Sequence, residues 1–239
     1  MIPLFYDLHI HSCLSPCGDD DMTPANIAGM AAVKGLDVIA LTDHNSCRNC
    51  PAAIYHGEKH GVTVIPGMEL TTREEVHVIC LFPTLENALA FDSLVYEELI
   101  PFPNREDIFG KQQVMDHADR VIGTVENLLI NATSIPFDDV FTLTASYGGI
   151  AYPAHVDKSS GSLLSNLGFV PPDSTFACAE FHDFENLHRI KKAHPYFEGC
   201  RVIRCSDAHY LWDIAEPEYQ IRAESRKAAD ILAALVSVI

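Results

Sequence analysis

The chain lacks a long hydrophobic run. No stretch approaches the ~20 uninterrupted apolar residues that a membrane span requires, although 48% of its 239 residues are hydrophobic. It also lacks the charged segment and long apolar segment of a secretion signal, and its start, MIPLFYDLHIHS, reads as a first strand. There is no repeat, no low-complexity tract and no linker rich in Gly, Pro or Ser. These absences predict one cytoplasmic domain over residues 1–239, with a full core and no membrane partner. Basic residues are scarce: 16 Lys and Arg stand against 33 Asp and Glu, a formal net charge of −17. Such a chain offers no broad basic face to neutralise phosphates, so no duplex nucleic acid is expected as a partner. Small anions suffer less from the acidity where bound cations dominate a pocket.

Histidine and cysteine are plentiful, at 12 and 8 residues. Without a secretion signal the cysteines are expected as reduced thiols. Apolar runs alternate with helical patterns. Leu4 to Ile10 reads as a strand. Thr23-Pro24 is a helix start, with Thr as the N-cap and Pro in the first turn, and Gly35 stops that helix after Lys34. Asp37 to Leu41 is a short buried strand, Pro51 to His60 a helix closed by Gly61, and Val62 to Pro66 and Val76 to Phe82 are again strands. This rhythm is that of a parallel sheet or barrel. The segment 85–147 reads as a mostly helical insertion between the fourth and fifth strands, placed to act as a lid or cap. Strands resume at Gly149 to Pro153, Phe176 to Phe181 and Val202 to Cys205, and Ala223 to Val238 has the apolar spacing of an outer helix.

Titratable side chains recur at the ends of these strands. His9 and His11 close the first, two residues apart and therefore on one face. His44 follows the second, Glu69 the third, His77 lies on the fourth, His155 follows the fifth, and Asp207 and His209 follow the last. Each alone has an ordinary structural explanation. Together they point to a metal site, because the C-terminal strand ends of a parallel barrel converge on one mouth. Buried carboxylates and imidazoles there need partners, which metal ions supply.

The motifs Asp7-Leu-His-Ile-His-Ser12, Leu41-Thr-Asp-His-Asn45, Gly67-Met-Glu-Leu70 with His77, Pro153-Ala-His155 and Ser206-Asp-Ala-His209 resemble those of the PHP (polymerase and histidinol phosphatase) superfamily, in the short stand-alone form. The resemblance implies an α/β fold, a distorted (β/α)7 barrel, and a metal-dependent phosphoesterase with two or three divalent transition metals. By position, His9 and His11 would bind a first metal with Glu69 and Asp207. His44 and His209 would bind a second with an acidic residue of the following loop. Glu69 would bridge to a third held by His77 and His155. Counting back from Thr23-Pro24 selects Asp19 as the loop ligand, with Asp20 and Asp21 as alternatives. A mixed His and carboxylate set suits Mn, Fe or Zn. Asp43 is either a residue that orients a ligand or a turn residue. Lys158 is either a phosphate contact or a solvated lysine.

The implied reaction is hydrolysis of a phosphate ester by metal-activated water. The implied substrate is a small phosphorylated metabolite, a nucleotide or a short oligonucleotide end. Two other readings stay open: a non-catalytic scaffold of the same family, and a barrel metallohydrolase that cleaves C–N bonds. The latter usually carries a Lys at a strand end, and none stands at a matching position here. Finally, Cys13 and Cys17 in the first loop, with Cys47 and Cys50 in the second, have spacings that four thiolates around an accessory zinc would use, or that a redox-sensitive pair would use. Ordinary reduced thiols in loops are the simpler explanation.

Overall fold

The computed structural model describes residues 1–237. In chain order the first elements are β1 (Ile2–Ile10), α1 (Pro24–Lys34), β2 (Val38–Leu41), α2 (Cys50–His60), β3 (Thr63–Thr71) and β4 (His77–Leu81). Next come α3 (Leu85–Glu98), α4 (Glu106–Phe109), β5 (Gln113–Met115), β6 (Val121–Thr124), α5 (Phe137–Ser146) and β7 (Ile150–Pro153). The remainder is α6 (Leu163–Asn166), β8 (Cys178–Glu180), α7 (Leu187–Ala193), β9 (Arg201–Ile203), β10 (Gln220–Ala223) and α8 (Ala228–Val236). No helix among the described residues is long and apolar enough to cross a membrane.

The ends of α1 follow from its sequence. The Thr23 hydroxyl accepts the Asn26 N–H, Pro24 occupies the first turn, and Gly35 closes the helix at φ 82°. Helices α1 and α2 pack on one side of a six-stranded sheet ordered β10-β1-β2-β3-β4-β7. Strands β1, β2 and β3 pair in parallel, whereas β4 runs antiparallel to both β3 and β7. The sheet curls into a half-barrel. The parallel pair β8–β9 continues beside β7, where the Val156 N–H donates to the Glu180 carbonyl at 2.9 Å. After β9 the chain returns to the end of β1, where the His11 N–H donates to the Ala208 carbonyl at 3.0 Å.

The regular parallel rhythm read from the sequence breaks at β4. Only Thr72 to Val76 connect it to β3, too few residues for a parallel crossover, so the two strands form a hairpin. This reversal carries His77 to the mouth from the beginning of its strand. The segment 85–147 is also less helical than its sequence suggests. Pro101 and Pro103 follow the end of α3, and the chain then makes one short turn of helix, the β5–β6 hairpin and extended stretches before α5. At the C-terminus, Ala223 belongs to β10 and the helix starts at Ala228, while Val238 lies outside the described residues.

A β-bulge sets the site. The pairing of β1 with β2 shifts register between Asp7 and Ile10. Before it, Leu4, Tyr6 and Leu8 pack with Val38, Ala40, Ile65 and Tyr152 inside the curl. After it, Ile10 packs instead with Ile39 and Leu41 under the helices. An extra residue inverts the in–out alternation of a strand. The inversion turns Ile10 outward and leaves His9 and His11 to face the mouth.

Close packing of β3 on β4 is a testable consequence. A Cβ on Gly67 would lie 2.6 Å from the Cys80 carbonyl oxygen and 2.7 Å from Leu81 Cδ2. Gly67→Ala is expected to destabilise the fold by about 1–3 kcal/mol, read as a lower urea midpoint. An unchanged midpoint would contradict this packing.

Candidate metal centre

Each candidate ligand is delivered by this frame. His9 and His11 follow the bulge in β1. His44 stands opposite Glu69, held by hydrogen bonds from the Glu69 N–H to the Asp43 carbonyl (3.1 Å) and from the Asn45 N–H to the Glu69 carbonyl (3.0 Å). His77 opens β4, and its N–H donates to the Gly161 carbonyl at 2.8 Å. His155 and Asp207 adopt positive φ, 25° and 54°. Such backbone is costly for residues other than glycine and persists only where its surroundings impose it.

The side chains converge on Glu69. Its carboxylate lies 3.4 Å from His9 Nε2, 3.2 Å from His11 Nε2, 3.1 Å from His44 Nδ1, 2.9 Å from His77 Nδ1 and 3.0 Å from His155 Nε2. Asp207 Oδ1 stands 3.2 Å from both His9 Nε2 and His11 Nε2. Lys158 forms an ion pair with the other Asp207 oxygen. A cleft of roughly 570 Å³ opens above, lined in part by His44, Glu69, His77, His155, Lys158 and Asp207.

The hydrogen bonds fix which ring nitrogens are free. His9 Nδ1 lies 2.9 Å from Glu180 Oε2 and donates to that carboxylate. Ser15 Oγ donates its single proton to Asp43 Oδ1 at 2.7 Å, so it accepts the proton of His11 Nδ1 at 2.9 Å. Both Nε2 atoms are therefore the ones left to face the mouth, and they lie 3.1 Å from each other. In the neutral imidazoles two lone pairs would repel at that distance, so either protons or a metal cation must lie among them. His155 Nδ1 is buried without a hydrogen-bond partner, and the buried His44 Nδ1 meets the Glu69 carboxylate at 3.1 Å. Among the described residues, three groups have ligand atoms within 4.8 Å of one another: His9, His11, Glu69 and Asp207; His11, Cys17, His44 and His209; and His44, Glu69 and His77. This donor chemistry fits divalent transition metals.

The field has the same sense. Burial disfavours charge on His9, but Glu180, Asp207 and Glu69 outweigh it and hold the imidazole well above its ordinary value. Burial is likewise overcome at His11, which hydrogen bonds to Asp207 and Glu69 raise to about 9. Burial also opposes charge on Glu69, yet His77, His9 and His44 keep it well below the usual carboxylate range. His44 is pushed far down by burial, and His209 is lowered to about 4 by burial and by His11. The carboxylates thus favour positive charge beside His9 and His11, and the imidazoles of His44 and His209 stay neutral, the form in which they ligate a metal.

Of the nine sequence-predicted ligands, the structure gathers His9, His11, His44, Glu69, His77, His155, Asp207 and His209. It does not gather Asp19, whose Oδ1 accepts the Asp21 N–H at 2.9 Å, or Asp20, whose Oδ1 accepts from Gln113 Nε2 at 2.8 Å. Asp21 is exposed. Cys17 stands there instead, its Sγ 3.0 Å from His209 Nε2. The four-thiolate site is not assembled. Cys47 and Cys50 are buried with both thiols on the Gly67 carbonyl, at 3.2 and 3.6 Å, while Cys13 lies near the Gln113 carbonyl. Burial holds Cys13, Cys47 and Cys17 alike above the ordinary thiol value, so geometry is what separates them: Cys17 meets an imidazole, and Cys13, Cys47 and Cys50 meet backbone carbonyls. Asp43 accepts from the Ser12 N–H and from the Ser12 and Ser15 hydroxyls, and so orients His11 through Ser15. Lys158 is bound at the mouth rather than solvated.

Sequence reasoning missed Glu180, which fixes His9, and Asp7, which binds the Ser206 N–H and hydroxyl just before Asp207. The signal for Glu180 was its place at the end of a predicted strand.

The sequence profile of the PHP domain family matches residues 7–160. An uncharacterized protein of Methanocaldococcus jannaschii is 37% identical over 76 residues, 28% of this chain and 44% of its own length. A 5'-3' exoribonuclease of Haemophilus influenzae is 32% identical over 79 residues, 32% of this chain and 28% of its own. The chain thus spans less than half the length of these curated relatives. Among solved structures, the lesion-specific endonuclease PfuEndoQ from Pyrococcus furiosus shares the fold at 18% identity and a TM-score of 0.67, over 98% of this chain and 56% of that one. An Endonuclease Q complexed with a 27-mer duplex substrate, its abasic lesion at the active site, superposes with a TM-score of 0.63 at 18% identity over the same shares, 98% and 56%. That complex corrects the exclusion of duplex nucleic acid drawn from net charge. That neighbour, of which this chain covers 56%, binds a duplex, so a net charge of −17, which says nothing of the field at the mouth, is no ground for excluding one.

The shifted imidazoles predict how metal-free protein responds to pH. A group raised in the folded state stabilises fully below its unfolded value, about 6.5, and that stability is lost as pH rises through the folded value, about 9 for His11. His209, lowered to about 4, acts only below that window. The melting temperature of chelator-treated protein should fall between pH 6.5 and 9 by at least about 3 °C. Saturating Mn2+ or Zn2+ should remove the fall, because ligation needs deprotonated imidazoles. A flat or rising profile in the metal-free protein would contradict these electrostatics.

Proposed function

This chain belongs to the PHP domain family, and from that premise we propose that it is a metal-dependent phosphoesterase acting on a nucleotide or on the end of a nucleic-acid strand. The observation that carries the reading is the pair of His9 and His11 Nε2 atoms, 3.1 Å apart and ringed by Glu69 and Asp207. We place it in the cytoplasm, which its eight free cysteines support.

In this reading His9, His11, Glu69 and Asp207 hold one ion, and His44 and His209 contribute to a second. His77 and His155 hold a third with Glu69. Bound there, such ions supply Lewis acidity toward phosphate oxygens and lower the pKa of water. The chain's own groups do the rest. Glu180 keeps the His9 proton on Nδ1, and Ser15, itself held by Asp43, keeps the His11 proton on Nδ1. Asp7 binds the Ser206 N–H and the Ala215 N–H and so fixes the strained turn that aims Asp207. Lys158, paired with Asp207 at the rim, is placed to exchange that contact for a phosphate oxygen.

The cleft of roughly 570 Å³ matches small-molecule and nucleotide sites in size. Convergence of eight family ligand positions argues against a scaffold role. The pairing of Lys158 with Asp207 leaves it no role as the modified lysine of a C–N hydrolase.

Purified protein is expected to hold two or three equivalents of transition metal by elemental analysis. His9→Ala and Asp207→Ala should each lower hydrolysis of bis(p-nitrophenyl) phosphate by about a hundredfold or more, with the circular dichroism spectrum kept, since several kcal/mol of transition-state stabilisation is removed. Full activity in either variant, or in rigorously metal-free protein, would overturn the proposal.

A further inference from the structure

The loop after β1 departs from the residue pattern that its resemblance implied. The acid expected at the second metal position is turned away, and a sulfur is turned in. Cys17 Sγ stands 3.0 Å from His209 Nε2, and the ligand atoms of Cys17, His11, His44 and His209 lie within 4.8 Å of one another. His209 Nδ1 donates to the Asp207 carbonyl at 2.8 Å, so its Nε2 presents a lone pair to the sulfur. His44, only 3% exposed, places a ring nitrogen within 4.8 Å of the Cys17 sulfur and of the His209 ligand atom.

The loop is built to hold the sulfur there. The Gly18 N–H donates to the Ser15 carbonyl at 2.9 Å, and the Asp19 N–H donates to the His209 carbonyl at 3.0 Å. Cys17 is thus tied on its C-terminal side to the segment that carries its partner. Gly18 is required at the fold-back, because a Cβ there would lie 2.2 Å from the Ser12 carbonyl oxygen. The same fold-back commits Asp19 Oδ1 to the Asp21 N–H.

Resting on the proposed metal centre, we infer that Cys17 is a thiolate ligand to the second metal, and that this position takes a thiophilic ion, Zn2+ or Co2+, in preference to Mn2+ or Mg2+. Imidazole and thiolate donors form the usual tetrahedral set for zinc, and thiolate is a poor ligand for the harder ions. Glu69 and Asp207 make the first position harder. The two neighbouring positions therefore differ in metal preference, and the enzyme is suited to a mixed-metal centre. Cys17 lines the open cleft, so the thiolate side of the centre is reached from solvent.

Cobalt reports sulfur ligation directly. Metal-free protein titrated with Co2+ should show a near-ultraviolet thiolate-to-cobalt charge-transfer absorption that saturates at one equivalent. Cys17→Ser should lose that absorption while still binding cobalt, and its Zn2+ affinity should drop about 10- to 100-fold or more. Cys17→Asp should also lose it and gain affinity for Mn2+. Cys13→Ser should keep it. Gly18→Ala, which displaces the sulfur without removing it, should weaken it. Cobalt uptake without the absorption, or an absorption that survives Cys17→Ser, would overturn the thiolate while leaving the metal cluster standing. No cobalt uptake by the wild-type protein would overturn both.

Discussion

One buried carboxylate organises this molecule. Glu69 is 1% exposed and meets ring nitrogens of His9, His11, His44, His77 and His155 within 3.4 Å. A carboxylate removed from water is tolerable only when its lone pairs are engaged by donors or cations. Five imidazoles around one acid exceed what its own neutralisation requires. The surplus is the signature of a place where positive charge is meant to reside. Every strand end at the mouth is oriented by contact with that place or by a residue that fixes such a contact.

Two irregularities of the sheet bring those imidazoles together. The bulge between Asp7 and Ile10 inverts the alternation of β1, so that Leu8 serves the interior and His9 still faces the mouth. The hairpin between β3 and β4 reverses one strand, so that His77 reaches Glu69 from a strand beginning. A second layer then fixes ring orientation: Glu180 for His9, Ser15 with Asp43 for His11, and the Asp207 carbonyl for His209. Positive φ at His155 and Asp207 completes the arrangement, with local backbone cost offset by the surrounding packing.

Much of this was legible in the sequence, for identifiable reasons. Thr23-Pro24 and Gly35 mark α1 because capping chemistry is local. The convergence of His9, His11, His44, Glu69, His155, Asp207 and His209 could be read because each sits in a short motif at a strand end. The bulge was not legible, since register is decided by pairing with β2 rather than by β1 alone. Glu180 carried no motif, and its role depends on β8 lying beside the mouth. Counting back from Thr23-Pro24 could not show how the chain folds at Gly18, where sterics turn Asp19 outward and Cys17 inward. Net charge misled about duplexes for a related reason: a total says nothing of where charges lie.

Everything proposed for this protein requires a metal ion among His9, His11, Glu69 and Asp207. Anomalous diffraction, recorded on either side of the zinc absorption edge from crystals grown with zinc, would locate it. A peak is expected among these four side chains, at about 2.0–2.1 Å from the Nε2 atoms of both histidines. Absence of a peak there in crystals of active, zinc-saturated protein would contradict the assignment.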